Sequence, residues 1–336
     1  MTNNIAQSPL ITTQAAYKPF RFPWAYDFWK KQQQSHWLPD EVPMADDIRD
    51  WDHRLSVEEK SLLTHIFRFF TQADVEVNDC YHRNYMRLFK PTEVTMMLTA
   101  FSNMETIHVA AYSHLLDSIG MPETEYSAFL EYKEMRDKSD YMQSFNPDNA
   151  HDVALTLAAF GAFTEGLQLF ASFAILMNFP RFGKMKGMGQ IVSWSVRDET
   201  LHMNGIVRLF HEWLKEQADH INLSRLAEDI YRIARDIVEH EDRFIDLAFE
   251  MGDIEGLSAK DMKAYIRYIA NQRLTMLHLS PIFEDAPSRN PLPWLEEILN
   301  GAEHANFFEQ RATEYSNSAM TGSWGDVWGA MDGIST

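Results

Sequence analysis

Glu105-Thr-Ile-His108 and Glu199-Thr-Leu-His202 are the two Glu-x-x-His segments of this chain, and each lies in a stretch with helical spacing of apolar residues. Three residues along a helix bring a Glu and a His onto one face, about 5–6 Å apart at Cβ. One such segment is weak evidence, because acidic helices with histidines produce it by chance. Two of them are what a dinuclear metal site in a helix bundle requires. Two helices each supply a Glu and a His, and two more each supply one carboxylate.

The remaining carboxylates should interrupt apolar helices. Glu165 stands in the run Val153-Ala-Leu-Thr-Leu-Ala-Ala-Phe-Gly-Ala-Phe-Thr-Glu-Gly-Leu-Gln-Leu-Phe-Ala-Ser-Phe-Ala-Ile-Leu. A charge there must be paired, neutralised or metal-bound, since an isolated buried carboxylate is very costly. The plain alternative is a hydrogen bond to a core Arg or Tyr. Further upstream, Ser56-Val-Glu-Glu59 reads as a capping box that opens a helix. Leu62, Leu63, Ile66, Phe69, Phe70, Ala73 and Val77 follow at helical spacing. Asp74 falls near that stripe, whereas Glu76 and Asp79 read more easily as flank. Spacing favours Asp74 and leaves Glu76 open.

Asp74, Glu105, His108, Glu165, Glu199 and His202 carry a formal −4 with neutral imidazoles, which two divalent cations offset. This hard oxygen and nitrogen set suits iron or manganese. Zinc sites more often use His and Cys with fewer carboxylates.

The elements that must position these residues are long helices. The pattern predicts helices over 56–89, 92–119, 123–138, 150–178, 186–218, 223–251 and 258–279. Pro91 separates the first two, Gly120 is placed as a C-terminal stop, and Pro180 closes the Glu165 helix. No strand alternation is evident, so the expected fold is all-α, a bundle with the dinuclear site in its core. Residues 1–55 read as an irregular aromatic segment, 56–280 as the bundle and 281–314 as a helical extension after the turn-rich Pro281–Pro293. Short helices are expected near Trp294–Leu299 and Ala302–Glu314. Residues 315–336 are Gly/Ser-rich yet keep Tyr315, Trp324 and Trp328. Aromatics in such a tail point to docking in a partner's groove.

At 336 residues and 45% apolar, the chain is long enough for one large domain. A net charge of −19 argues against nucleic acid and anionic membranes as partners. The single cysteine, Cys80, rules out an intrachain disulfide framework and fits a reducing cytosol, so a cytoplasmic protein without a secretion signal is expected. The run Val153–Met177 is long enough to raise a membrane span, but Glu165, Gly166 and Gln168 in its middle favour a buried bundle helix.

Asn103-Met-Glu-Thr-Ile-His-Val-Ala-Ala-Tyr-Ser-His and Val196-Arg-Asp-Glu-Thr-Leu-His202 closely resemble the radical-generating small subunit of class I ribonucleotide reductase. The resemblance runs from about Trp37 to the aromatic tail, and the order of the six ligands settles Asp74 over Glu76. It implies a ferritin-like fold and a homodimer. It also implies a site of two iron ions, with manganese as the other option, which reacts with oxygen or a derived oxidant and stores a one-electron equivalent. It makes Tyr112, four residues after His108, the radical tyrosine. Asp198 and Trp37 become the link from the metals to the surface, and Tyr315 the tail residue that hands the oxidant to a large catalytic subunit. Where the family places bulky apolar residues around that tyrosine, this chain has Leu169 and Ser195, and the polar Ser195 puts a long-lived Tyr112 radical in question.

Thiol-dependent ribonucleotide reduction needs a thiyl-forming residue and a redox-active thiol pair. With Cys80 alone, and no Gly-rich phosphate loop, the substrate and its cysteines must sit on another polypeptide. Two other readings compete. A dimetal oxidase with its own substrate would need neither Tyr112, Trp37 nor the aromatic tail. An iron-storage bundle would assemble into a cage.

Overall fold

Side-chain caps start two of the four long ligand helices where the sequence places them. In the computed structural model, which describes residues 5–143 and 147–298, the helix Val57–Cys80 opens on the expected capping box. Ser56 Oγ accepts from the Glu59 backbone N–H, and Glu59 Oε2 accepts from that of Ser56. This helix carries Asp74 and widens into a π turn at Tyr81–Tyr85. The Glu105 helix, Thr92–Ser118, ends at Gly120, whose φ of +71° closes a left-handed cap with Met121 N–H on the Leu116 carbonyl.

The third ligand helix runs over Ala150–Arg181 and starts at Asn149, whose side chain accepts from the N–H groups of His151 and Asp152. Pro180 lies in its last turn, one residue before the helix stops at Arg181. Over Ala158–Gln168 the backbone is π-helical. So long a widened stretch is unusual, and such distortions are often found at functional sites. By length and apolarity this helix could cross a membrane, but 94% of its apolar window is buried inside the fold.

The Glu199 helix, Lys186–Glu216, starts where expected but without a side-chain cap of its own. Its N-terminal donors are satisfied across the chain: Asp47 accepts from Gly187 and Met188, and Asp50 accepts from Met185. Both aspartates belong to the short helix Ala45–His53. Gly161 allows the Glu165 and Glu199 helices to touch, since a Cβ there would lie 2.5 Å from Ile206 Cγ2.

Around these four helices pack Pro23–Gln34 against the Glu105 helix, and Leu223–Ala248 with Ala259–Met276 against the Glu165 helix. The expected single helix over 123–138 is corrected. Two short 3-10 turns, Glu123–Tyr126 and Ala128–Glu131, precede an α-helix that begins only at Lys133. Arg68 of the Asp74 helix binds Glu125 at 2.6 Å and the Tyr132 hydroxyl at 2.8 Å. Those tertiary contacts outweigh the local preference for one helix. Up to Leu295 the chain is one compact unit, and a second begins at Glu296. Residues 293–298 are helical. The expected helix Ala302–Glu314, the tail 315–336 and Tyr315 lie outside the described residues.

Candidate metal centre

Four long helices bring six buried side chains to one point. Ligand atoms of Glu105, Glu165, Glu199 and His202 lie within 4.8 Å of one another, and so do those of Asp74, Glu105 and His108. Glu105 belongs to both groups. Its two oxygens face the two imidazoles, Oε1 at 2.9 Å from His202 Nδ1 and Oε2 at 3.6 Å from His108 Nδ1. Glu199 mirrors it, at 3.1 Å from His108 and 3.5 Å from His202. Both histidines therefore turn Nδ1 inward. All six expected ligands are brought together. Glu76 is not among them; it is buried rather than on the flank and accepts from the Ser139 hydroxyl.

The donor set fits a pair of cations. Asp74 Oδ2, both oxygens of Glu105 and of Glu199, Glu165 Oε2 and His202 Nδ1 are buried and make no hydrogen bond of good geometry, although the imidazoles lie 2.9–3.6 Å from the Glu105 and Glu199 oxygens. So many unsatisfied acceptors in one place would cost far more than a native fold tolerates. Without cations, protons must take over their charge. Burial pushes the carboxyls of Asp74 and Glu165 well above the usual range, and neighbouring carboxylates add to it. Burial would lower both histidines. Asp198, Glu105 and Glu199 instead hold His108 far above its ordinary value, and Glu105 with Glu199 lift His202 to about 10. The two imidazoles also outweigh burial at Glu199 and keep it below its usual range. Cations would replace those protons.

Outside the cage, polar groups fix the ligands. His108 Nε2 lies 3.4 Å from Asp198 Oδ2, which also accepts from Trp37 Nε1 at 2.8 Å. Burial would raise Asp198, but His108, Arg197 and Trp37 hold it below its ordinary value, so it stays ionised. Gln32 joins the two halves: its amide donates to Asp198 Oδ1 at 3.1 Å, and its carbonyl lies 3.1 Å from His202 Nε2. Such partners set the tautomer and basicity of a ligating imidazole. Trp37 is 3% exposed, with its ring centroid 5.1 Å from that of Trp194.

Tyr112 is buried and stacks on Phe70 at 4.6 Å between centroids. Its hydroxyl lies 3.5 Å from Ser195 Oγ, at the outer limit of a hydrogen bond. Burial raises its phenol above the ordinary tyrosine range, so it stays protonated. Leu169 is buried.

Two functional contacts were not anticipated from the sequence. Gln32 stands in the polar run Lys-Lys-Gln-Gln-Gln, where nothing separates it from its neighbours. Tyr81 donates its hydroxyl to Glu165 Oε1 at 2.6 Å. It lies seven residues after Asp74 and so on the same helix face, a spacing that could have flagged it.

A family model described as "Ribonucleotide reductase, small chain" matches residues 14–291. The chain is 44% identical to a probable ribonucleoside-diphosphate reductase small subunit of Invertebrate iridescent virus 6, over 95% of this chain and 98% of that one. It is 28% identical to a ribonucleoside-diphosphate reductase subunit beta of Chlamydia pneumoniae, over 91% of each. Among solved structures, the ribonucleotide reductase R2 subunit from Clostridium botulinum superposes with a TM-score of 0.80 at 23% identity, covering 89% of this chain and 98% of that chain. That likeness concerns the fold, which is the ferritin-like bundle expected.

Proposed function

Because the chain belongs to the ribonucleotide reductase small-chain family, we propose that Asp74, Glu105, His108, Glu165, Glu199 and His202 hold two metal ions that serve the reduction of ribonucleoside diphosphates. The protein is the small subunit of a ribonucleotide reductase and works with a large subunit. Family membership sets aside both the self-sufficient oxidase and the storage cage. The observation that carries the metal assignment is Glu105, shared between both ligand groups with an oxygen toward each imidazole.

When bound, redox-active metals supply the chemistry that turns an oxygen species into a one-electron oxidant. The oxygen and imidazole donor set suits iron, with manganese as the other candidate. The protein's own groups do the rest. Buried Phe101, with its ring centroid 4.5 Å from that of His202, helps keep water away from the cage. Tyr112 is the proposed seat of the stored oxidant, supported by its burial, its place one turn after His108 and its lack of a strong acceptor. Asp198 holds His108 and Trp37 on one carboxylate oxygen, which supports a route from the cage outward through Trp37. Tyr315 and the tail would complete the route by docking to the large subunit. A homodimer in the cytoplasm is the expected setting.

Loading the protein with iron(II), admitting oxygen and recording electron paramagnetic resonance beside metal content tests this reading. Tyr112→Phe should keep two metals per chain and lose the stable tyrosyl signal. An unchanged spectrum would remove Tyr112 from its role. Deleting the residues after Tyr315 should weaken binding to the large subunit with the metal site intact; equal affinity would contradict the docking role.

A further inference from the structure

Glu165 is divided between two tasks. Its Oε1 accepts the Tyr81 hydroxyl at 2.6 Å, and its Oε2 is buried with no hydrogen-bond partner. The phenol ring is fixed on several sides. It lies edge-on to Tyr85 at 5.8 Å, to Phe101 at 6.3 Å and to the His202 imidazole at 6.4 Å, and is 1% exposed. Facing a carboxylate oxygen, the phenol O–H is the donor of this bond.

The backbone next to Glu165 is held as well. Arg273 Nε donates to the Gly166 carbonyl at 2.6 Å within the π-helical stretch. A Cβ on residue 166 would lie 2.9 Å from both Arg273 Nε and Met203 Sδ, so glycine is what lets the guanidinium approach. The widened turn is thus braced on its outer side, while Tyr81 holds the side chain on the inner side.

We propose that Tyr81 is a positioning residue that confines Glu165 to ligation through a single oxygen, Oε2, by occupying Oε1. This rests on the dimetal reading above. With the phenol in place, Oε1 has a short, buried, charge-assisted hydrogen bond to lose before it can turn to a metal. Without the hydroxyl, Oε1 is an unsatisfied buried acceptor, and a metal ion is the nearest remedy. Among the described residues, Glu105 and Glu199 have no such hydroxyl donor; their oxygens face the His108 and His202 imidazoles instead.

The test compares full-length protein with Tyr81→Phe, which keeps the ring and removes only the hydroxyl, and with Tyr81→Met as a second donor-free variant. Metal stoichiometry is measured by titration with iron(II) without oxygen. Coordination number is read from near-infrared circular dichroism of the same samples, followed by the rate of reaction with oxygen. Both variants should bind two iron ions per chain and show bands shifted toward a higher coordination number. Oxygen should react roughly 10–100-fold more slowly, the usual cost of removing a group that orients a ligand. Packing alone would not move the spectrum of Tyr81→Phe. Two ions with an unchanged spectrum in either folded variant overturns the proposal and leaves the dimetal reading standing. Fewer than two ions in the parent protein overturns both.

Discussion

The two halves of the metal cage carry the same Glu-x-x-His spacing and different surroundings. On the His108 side the outer imidazole nitrogen meets the ionised carboxylate of Asp198, which also holds Trp37. On the His202 side the corresponding nitrogen meets the neutral amide of Gln32, and Glu165 is clamped by Tyr81. Tyr112 follows His108 on its helix. The repeated motif makes two similar places for a cation. On the proposed reading, the groups around it would make one half the outlet for an oxidant and the other a fixed support.

The comparison breaks most completely at the residue both halves share. Glu105→Ala should lower affinity for at least one of the two metals by more than roughly 100-fold, beyond the loss expected for an orienting partner. Two tightly held metals in that variant, counted by elemental analysis after gel filtration, would show that Glu105 does not join the halves. Asp198→Asn and Gln32→Leu sharpen the difference between them. The first should leave two metals bound and lower turnover with the large subunit by roughly 10–100-fold, since the charged link from His108 to Trp37 is lost. The second should sit nearer the tenfold end, because it removes a neutral bond. Equal losses in steady-state assays would mean that the halves are functionally alike.

The smallest effect is on the metal-free protein. His108 and His202 are raised above their ordinary value of 6.5, and Asp74 and Glu165 above theirs. Each therefore binds more protons folded than unfolded. Its contribution is complete below the unfolded value and is lost as pH rises through the folded one. Glu199, lowered, has the opposite sign, but its contribution is complete above 4.5 and changes nothing at higher pH. Melting of the metal-free protein should fall by a few °C between pH 7 and pH 10, where the His202 proton is lost. Loaded protein should be nearly flat there, and loading at pH 7 should release protons. A metal-free melting curve indifferent to pH would contradict the protonated cage.

Much of this protein was legible along the chain. The cage ligands reveal themselves because helical spacing is local: three residues apart means one face, and a carboxylate in an apolar run must have a reason to be there. The same locality made Ser56 and Gly120 readable as helix ends. It failed over 123–138, where Arg68 draws Glu125 and Tyr132 to itself and the chain turns twice before Lys133. It also failed at Glu76, whose partner Ser139 lies 63 residues away.

By itself, then, the sequence determined which residue types could hold two cations, that long helices would carry them, and that ribonucleotide chemistry needing thiols could not be completed on a chain with one cysteine. Only the tertiary structure decided which groups tune those ligands. Gln32 reaches His202 across 170 positions, Tyr81 reaches Glu165 across 84, and Asp47 caps Gly187 across 140. A hydrogen bond between distant segments leaves no period in the chain. It exists only once hydrophobic packing has brought the helices together and each buried polar group has had to find a partner.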